Sequence, residues 1–253
     1  DGTCSVYIDD INATGVPSAL AGIKDYLKTK SGYKIKDLGD TKQLLGVKVD
    51  YDRKNGTLCL SQTLTIDSLL EKFGYHHANP TPTPALANER LTDDVPSKSD
   101  VLKLIKEWGQ DYHSMYRTIA GSLLWIAIST RPDISFAATN IARFVASPGV
   151  SHFKAIKRVL RYLKGTRCFG LCYSRDRSDR MVAFSDADFA GDLKTRRSTT
   201  GTVFMIFGAA VSWRSRLQRL VTLSTCEAEL VALTETAKEA IWMRELLAAM
   251  DMD

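Results

Sequence analysis

Prolines at positions 80, 82 and 84 alternate with other residues in the segment ANPTPTPALANE, and no regular helix or sheet ladder passes through such a run. Each proline lacks a backbone donor and fixes its own φ, and each pushes the preceding residue out of the helical region. The segment reads as an extended connector. On the N-terminal side an apolar strand leads into YIDD, and a helix is expected around 19–30. LLGVKVDYDRKNGTLCLS alternates on both sides of Asn55-Gly56, a pair that favours hairpin turns needing positive φ. A second helix follows at about 65–73.

Beyond the connector the spacing predicts helices from about 101 to 164, with Pro132 ending one and opening the next. The pattern then changes again. MVAFSDADFAGD, STTGTVFMIFGAAVSW and RLVTLS read as three strands, followed by a long helix from about 226 to 250. Strands followed by a helix predict an α/β layer, unfinished where the sequence stops. A start at Asp1 inside an apparent strand points to a piece of something longer.

The 253 residues, 44% hydrophobic and 25% charged, exclude a disordered or collagen-like chain. Apolar runs such as Leu123 to Ile128 fall short of the roughly 20 residues that cross a bilayer, and the N-terminus has no secretion-signal pattern. Five cysteines are too few and oddly numbered for a disulfide scaffold, which favours a reducing compartment. Cys168 and Cys172 form a CxxxC pair without a second pair at zinc spacing, and are expected to pack as small apolar residues. His76, His77 and His152 read as a loop pair and a helix-start residue.

The net charge of +5 is unevenly placed. Residues 143–180 carry ten Lys/Arg against Asp176 and Asp179, and residues 193–219 carry six with no acid. In SHFKAIKRVLRYLKG, Phe153, Ile156, Val159, Leu160 and Leu163 recur at helical spacing, while Lys154, Lys157, Arg158, Arg161 and Lys164 share the other side. Such a ladder of cations, with no acids in its own helix to pair with, suits a phosphate backbone.

Two sets of carboxylates could carry chemistry. Asp9 and Asp10 are expected near a hairpin tip, where paired acids can share a hard cation or simply make a turn. Asp186 and Asp188 face the same side of a strand, which crowds two like charges or marks an ordinary strand end. Ser224 and Glu227 have capping-box spacing, which assigns Glu227 to structure and leaves Glu229 beside it as a helix-dipole partner or a ligand.

The ordered segments YIDD, IKDLGDTKQLLGVKV, MYRTIAGSLLWIAISTRPDISFA, HFKAIKRVLRYLKGT, FSDADFAGD, RRSTTGTVF, VSWRSRLQ and STCEAELVAL resemble the Pol polyprotein of copia-type LTR retrotransposons over almost the whole chain. The resemblance implies an α+β multidomain fragment. Residues 1–77 would end a reverse transcriptase palm, 78–110 would be the connector, 111–180 a helical thumb and connection, and 181–253 the start of an incomplete RNase H-like α/β domain. It implies RNA-directed DNA polymerase and RNase H chemistry. Tyr7, Ile8, Asp9 and Asp10 would match the YxDD loop, whose aspartates hold Mg2+, or Mn2+, at the primer end. Asp186 and Glu229 would be two of the four RNase H acids.

Implied partners are an RNA template, a DNA primer, an RNA–DNA hybrid, dNTPs and the remainder of the Pol polyprotein, with no membrane. The implied location is a cytoplasmic virus-like particle, or the nucleus. Tyr7 and Ile8 would approach the nucleic acid, and the basic helix would grip the duplex. A further palm aspartate and two further RNase H acids would fall outside these residues, so the chain alone is expected to be inactive. The competing readings are a non-catalytic nucleic-acid-binding remnant and a stand-alone nuclease built on Asp186 and Glu229.

Overall fold

A computed structural model describes residues 2–7, 10–30, 35–87, 89–93 and 96–250. The chain is a mixed α/β fold with seven α-helices and three small sheets among those residues, divided into compact units at 1–44 and 45–253. In the first unit β1 (Gly2–Tyr7) and β2 (Asp10–Gly15) are antiparallel, with Tyr7 opposite Asp10. Helix α1 (Pro17–Thr29) begins on a proline, whose fixed φ suits a first turn, and buries none of its residues. The two-residue strand β3 (Gln43–Leu44) closes the unit.

In the second unit β4 (Val47–Asp52) and β5 (Thr57–Ser61) form the expected hairpin. Its loop is four residues long rather than a two-residue Asn-Gly turn. Asp52 Oδ1 accepts the amides of Lys54 and Asn55, and of that pair Gly56 alone takes positive φ, +63°. The sequence reading missed a third strand, β6 (Gly170–Ser174), which pairs antiparallel with β5. Cys59 and Cys172 face each other across that pair and form a disulfide. This corrects the expectation that Cys172 packs as a free apolar residue; Cys168 remains a free, exposed thiol.

The helical body comprises α2 (Thr63–Lys72), α3 (Lys98–Trp108), α4 (Tyr112–Ser129), α5 (Ser135–Ala142) and α6 (Val150–Gly165), with a short 3₁₀ turn at Pro132–Ile134 leading into α5. One apolar cluster joins Ile66 and Leu70 of α2, Leu104 and Trp108 of α3, and Tyr116, Ile119 and Leu123 of α4. The stripe read from α6 enters it whole, since Phe153, Ile156, Val159, Leu160 and Leu163 are all buried. Each such side chain removed from water contributes about 1.5–3 kcal/mol. Arg131, only 1% exposed, is held in this body by Asp133 and by the carbonyl and hydroxyl oxygens of Thr166.

The C-terminal layer holds β7 (Val182–Asp188), β8 (Thr199–Ile206) and β9 (Ala209–Leu217) in that order, all antiparallel, with α7 (Thr225–Ala248) packed against β7 and β8. The layer has three strands, but of the expected segments only MVAFSDADFAGD supplies its strand as read. STTGTVFMIFGAAVSW turns at Phe207-Gly208, both at positive φ, and supplies two strands, while RLVTLS is irregular. An apolar run with a Gly inside it concealed the turn. Along β8 burial alternates strictly, and the small buried residues Ala228 and Ala232 let α7 approach the sheet closely.

Candidate functional site

Cross-strand register assigns the acids of the C-terminal layer to their faces. Asp186 lies opposite Gly201 and Asp188 opposite Thr199, whereas Ala187 lies opposite Thr200, which belongs to the buried face of β8. Side chains alternate along a strand, so Asp186 and Asp188 share the face away from Thr200, as expected. Their surroundings differ. Asp188 is gripped by Arg90, with Nη1 donating to Oδ2 at 2.6 Å and Nη2 to Oδ1 at 2.8 Å. Asp186 is exposed and has neither an ion pair nor a side-chain hydrogen bond among the described residues.

Glu229 comes to β7 from α7. The amide of Ala187 donates to Glu229 Oε1 at 3.3 Å, which holds this carboxylate beside the residue that follows Asp186. Its neighbour Glu227 has the structural part read from the sequence. Ser224 Oγ caps the Glu227 amide at 3.2 Å, and Glu227 Oε2 accepts from the amide of Leu223 at 2.6 Å. The third acid of the motif, Asp192, is buried and bonded to Arg143 and to the amide and hydroxyl of Thr195. Burial alone would raise its pKa, but the hydrogen bonds from Arg143 and Thr195 outweigh it and hold the group at about 2. Of Asp186, Asp188, Asp192, Glu227 and Glu229, Asp186 and Glu229 are the two that have neither an arginine partner nor a helix-capping role among the described residues.

The tip of the β1–β2 hairpin is partly described. Tyr7 ends β1, and Asp10 opens β2 with its side chain exposed. Ile8 and Asp9 lie outside the described residues. Among the described residues no group of three His, Cys, Asp or Glu side chains is placed to hold a metal ion.

The cationic face of α6 has partners that the sequence reading did not supply. Lys157 pairs with Glu107 of α3 and lies 5.8 Å from the centre of the Trp108 ring. Arg158 Nη2 donates to Thr83 Oγ1 at 2.7 Å, and Arg161 Nε to the Asn79 carbonyl at 2.6 Å. Lys154 is exposed and Lys164 half-buried. The helix holds no acid of its own, as read, and Glu107 reaches Lys157 from a different helix. At the start of α6 His152 is buried, accepting the Gly149 amide on Nδ1 at 2.7 Å and standing 2.8 Å from the Thr92 carbonyl through Nε2. Arg90, Arg143 and Glu107 all escaped sequence reading because their partners lie at least 49 positions away.

No family model matches the chain, and no solved structure matches it. The retrovirus-related Pol polyprotein from transposon TNT 1-94 of Nicotiana tabacum is 39% identical over 244 residues, covering 96% of this chain and 18% of that polyprotein. The retrovirus-related Pol polyprotein from transposon RE1 of Arabidopsis thaliana is 34% identical over 243 residues, covering 96% and 16%. An uncharacterized mitochondrial protein of Arabidopsis thaliana is 33% identical over 240 residues, 94% of this chain and 92% of that protein. The putative transposon Ty5-1 protein of Saccharomyces cerevisiae is 30% identical over 238 residues, 93% of this chain and 72% of that protein, and the chain belongs to this family of transposon proteins; it spans under a fifth of the length of the Pol polyproteins it matches. No described helix is long and apolar enough to cross a membrane.

Proposed function

We propose that the chain is the segment of a retrotransposon Pol protein that ends a reverse transcriptase palm, continues through a helical thumb and connection, and opens an RNase H-like layer. Its domains in this reading are 1–77, 78–110, 111–180 and 181–253. The observation that carries it is the bond from the Ala187 amide to Glu229 Oε1, which brings an acid of the long helix to the strand bearing Asp186. A three-stranded antiparallel sheet backed by that helix supports the same reading.

The carboxylate oxygens of Asp186 and Glu229 suit a hard cation such as Mg2+ or Mn2+, with the other ligands supplied by the remainder of the polyprotein and by substrate phosphates. When bound, such an ion supplies Lewis-acid activation and a nucleophilic water for cutting the RNA of an RNA–DNA hybrid. The residues of this chain anchor and orient. Ala187 fixes Glu229 through its amide, while Arg90 and Arg143 occupy Asp188 and Asp192 and keep both out of the ligand set. At the hairpin, Tyr7, Ile8, Asp9 and Asp10 would serve nucleotidyl transfer from dNTPs to a DNA primer on an RNA template. The cations of α6 would hold the duplex by its phosphates.

Primer extension in Mg2+ by the Pol polyprotein that contains this segment tests the polymerase part. Extension that Asp9→Asn abolishes supports it, and extension indifferent to Asp9→Asn overturns it. A second reading, a non-catalytic nucleic-acid-binding protein, is favoured by the cations of α6, of which Lys154 is exposed and has no partner among the described residues. It predicts salt-dependent duplex binding without extension or cleavage.

A further inference from the structure

The proline connector does not hang free of the helical body. Between Asn79 and Thr83 it runs along the last two turns of α6 and meets the helix at four points. The Asn79 carbonyl accepts from Arg161 Nε at 2.6 Å, Thr81 Oγ1 donates to the Arg158 carbonyl at 3.3 Å, and Thr83 Oγ1 accepts from Arg158 Nη2 at 2.7 Å. Pro80 lies over Gly165 so closely that a Cβ built there would stand 2.9 Å from the proline Cβ.

The chemistry of these contacts is one-sided. Residues 76–88 contain no acid, so the strap offers the two guanidinium groups only a neutral carbonyl and a hydroxyl. Arg158 Nε is buried with no hydrogen-bond partner among the described residues. Charge-assisted bonds to phosphate are roughly twice as strong as neutral ones, and a phosphate can engage a guanidinium through two parallel bonds. A polyanion therefore has the stronger claim on Arg158 and Arg161. Pro80 and Pro82 pre-stiffen the strap, which lowers the entropic cost of laying it down or lifting it as a unit.

We propose that residues 79–83 are a displaceable cover on the cationic face of α6, and that a nucleic-acid phosphate backbone takes their place on Arg158 and Arg161. The inference rests on the reading of α6 as a duplex-holding helix. With the cover down, Lys154 and Lys164 are the cations of the ladder without a partner among the described residues; with it lifted, Arg158 and Arg161 join them.

The test is fluorescence anisotropy of a labelled RNA–DNA hybrid titrated with the intact chain at graded salt, for wild type and Thr81→Ala/Thr83→Ala. Losing both strap hydroxyls is expected to tighten binding about tenfold and to steepen the log–log salt slope by about 0.9 for each additional phosphate neutralised. Thr83→Val, which keeps the shape and removes the acceptor, is expected to act in the same direction with a smaller effect. Circular dichroism identifies any variant that fails to fold. Equal or weaker binding by both variants, with Arg158→Ala weakening wild type and variants alike, overturns the cover and leaves α6 as the duplex-holding helix. Binding indifferent to Arg158→Ala in every background overturns both.

Discussion

Arg90 and Asp188 are joined by two parallel hydrogen bonds across 98 positions of sequence, tying the connector to the last residue of β7. The pair is bidentate and half-buried, which places it above an ordinary surface ion pair. Arg90→Ala is expected to cost about 1 kcal/mol, read as a lower urea midpoint at unchanged slope. An unchanged midpoint would show that the connector does not fasten the sheet.

Asp192 sets an acid limit on stability. Its folded pKa, about 2, lies below the ordinary 3.8, so as pH falls the unfolded chain takes up this proton first. The stability it contributes is present above about pH 4 and is lost as pH falls toward 2. Asp192→Asn is expected to flatten the stability profile in that window, as measured by urea unfolding at stepped pH. A profile as steep as wild type would assign the loss to other carboxylates.

Arg131 is a buried cation whose hydrogen bonds all end on Asp133 and Thr166. Burial raises the Asp133 pKa, and the Arg131 guanidinium outweighs it and holds the carboxyl below its usual range. Arg131→Ala leaves that carboxylate, a third exposed, with the Tyr162 hydroxyl as its remaining side-chain donor, and is expected to cost about 2–3 kcal/mol. Chemical denaturation measures it; a loss under about 1 kcal/mol would mean that water replaces the guanidinium freely.

Cys59 and Cys172 close a loop across 113 positions. Such a cross-link restricts the unfolded chain, and its loss is expected to cost about 2–4 kcal/mol. Melting with and without reductant should differ for wild type and coincide for Cys59→Ser/Cys172→Ser. Coinciding wild-type curves would contradict the cross-link.

The parts legible in the sequence are those governed by local pattern. The apolar stripe of α6, the cap at Ser224 and Glu227, the β4–β5 hairpin and the shared face of Asp186 and Asp188 all follow from spacing over a few residues. What escaped depends on distance. Strand β6 has a partner 113 positions away, and its five residues, GLCYS, carry no clean alternation. Arg90, Arg143 and Glu107 became partners only when the chain folded, so a helix that looked uniformly cationic proved partly engaged. The Phe207-Gly208 turn was hidden because its flanks are as apolar as the strands they join.

Cleavage of the RNA strand of a labelled RNA–DNA hybrid, in Mg2+, by the Pol polyprotein containing this segment and by its Glu229→Gln variant tests the joint role of Asp186 and Glu229. Glu229 bonded to Ala187 beside Asp186 predicts cleavage by the wild type and a loss of at least about two orders of magnitude in the variant, with hybrid affinity retained. Equal cleavage by both proteins would contradict the account.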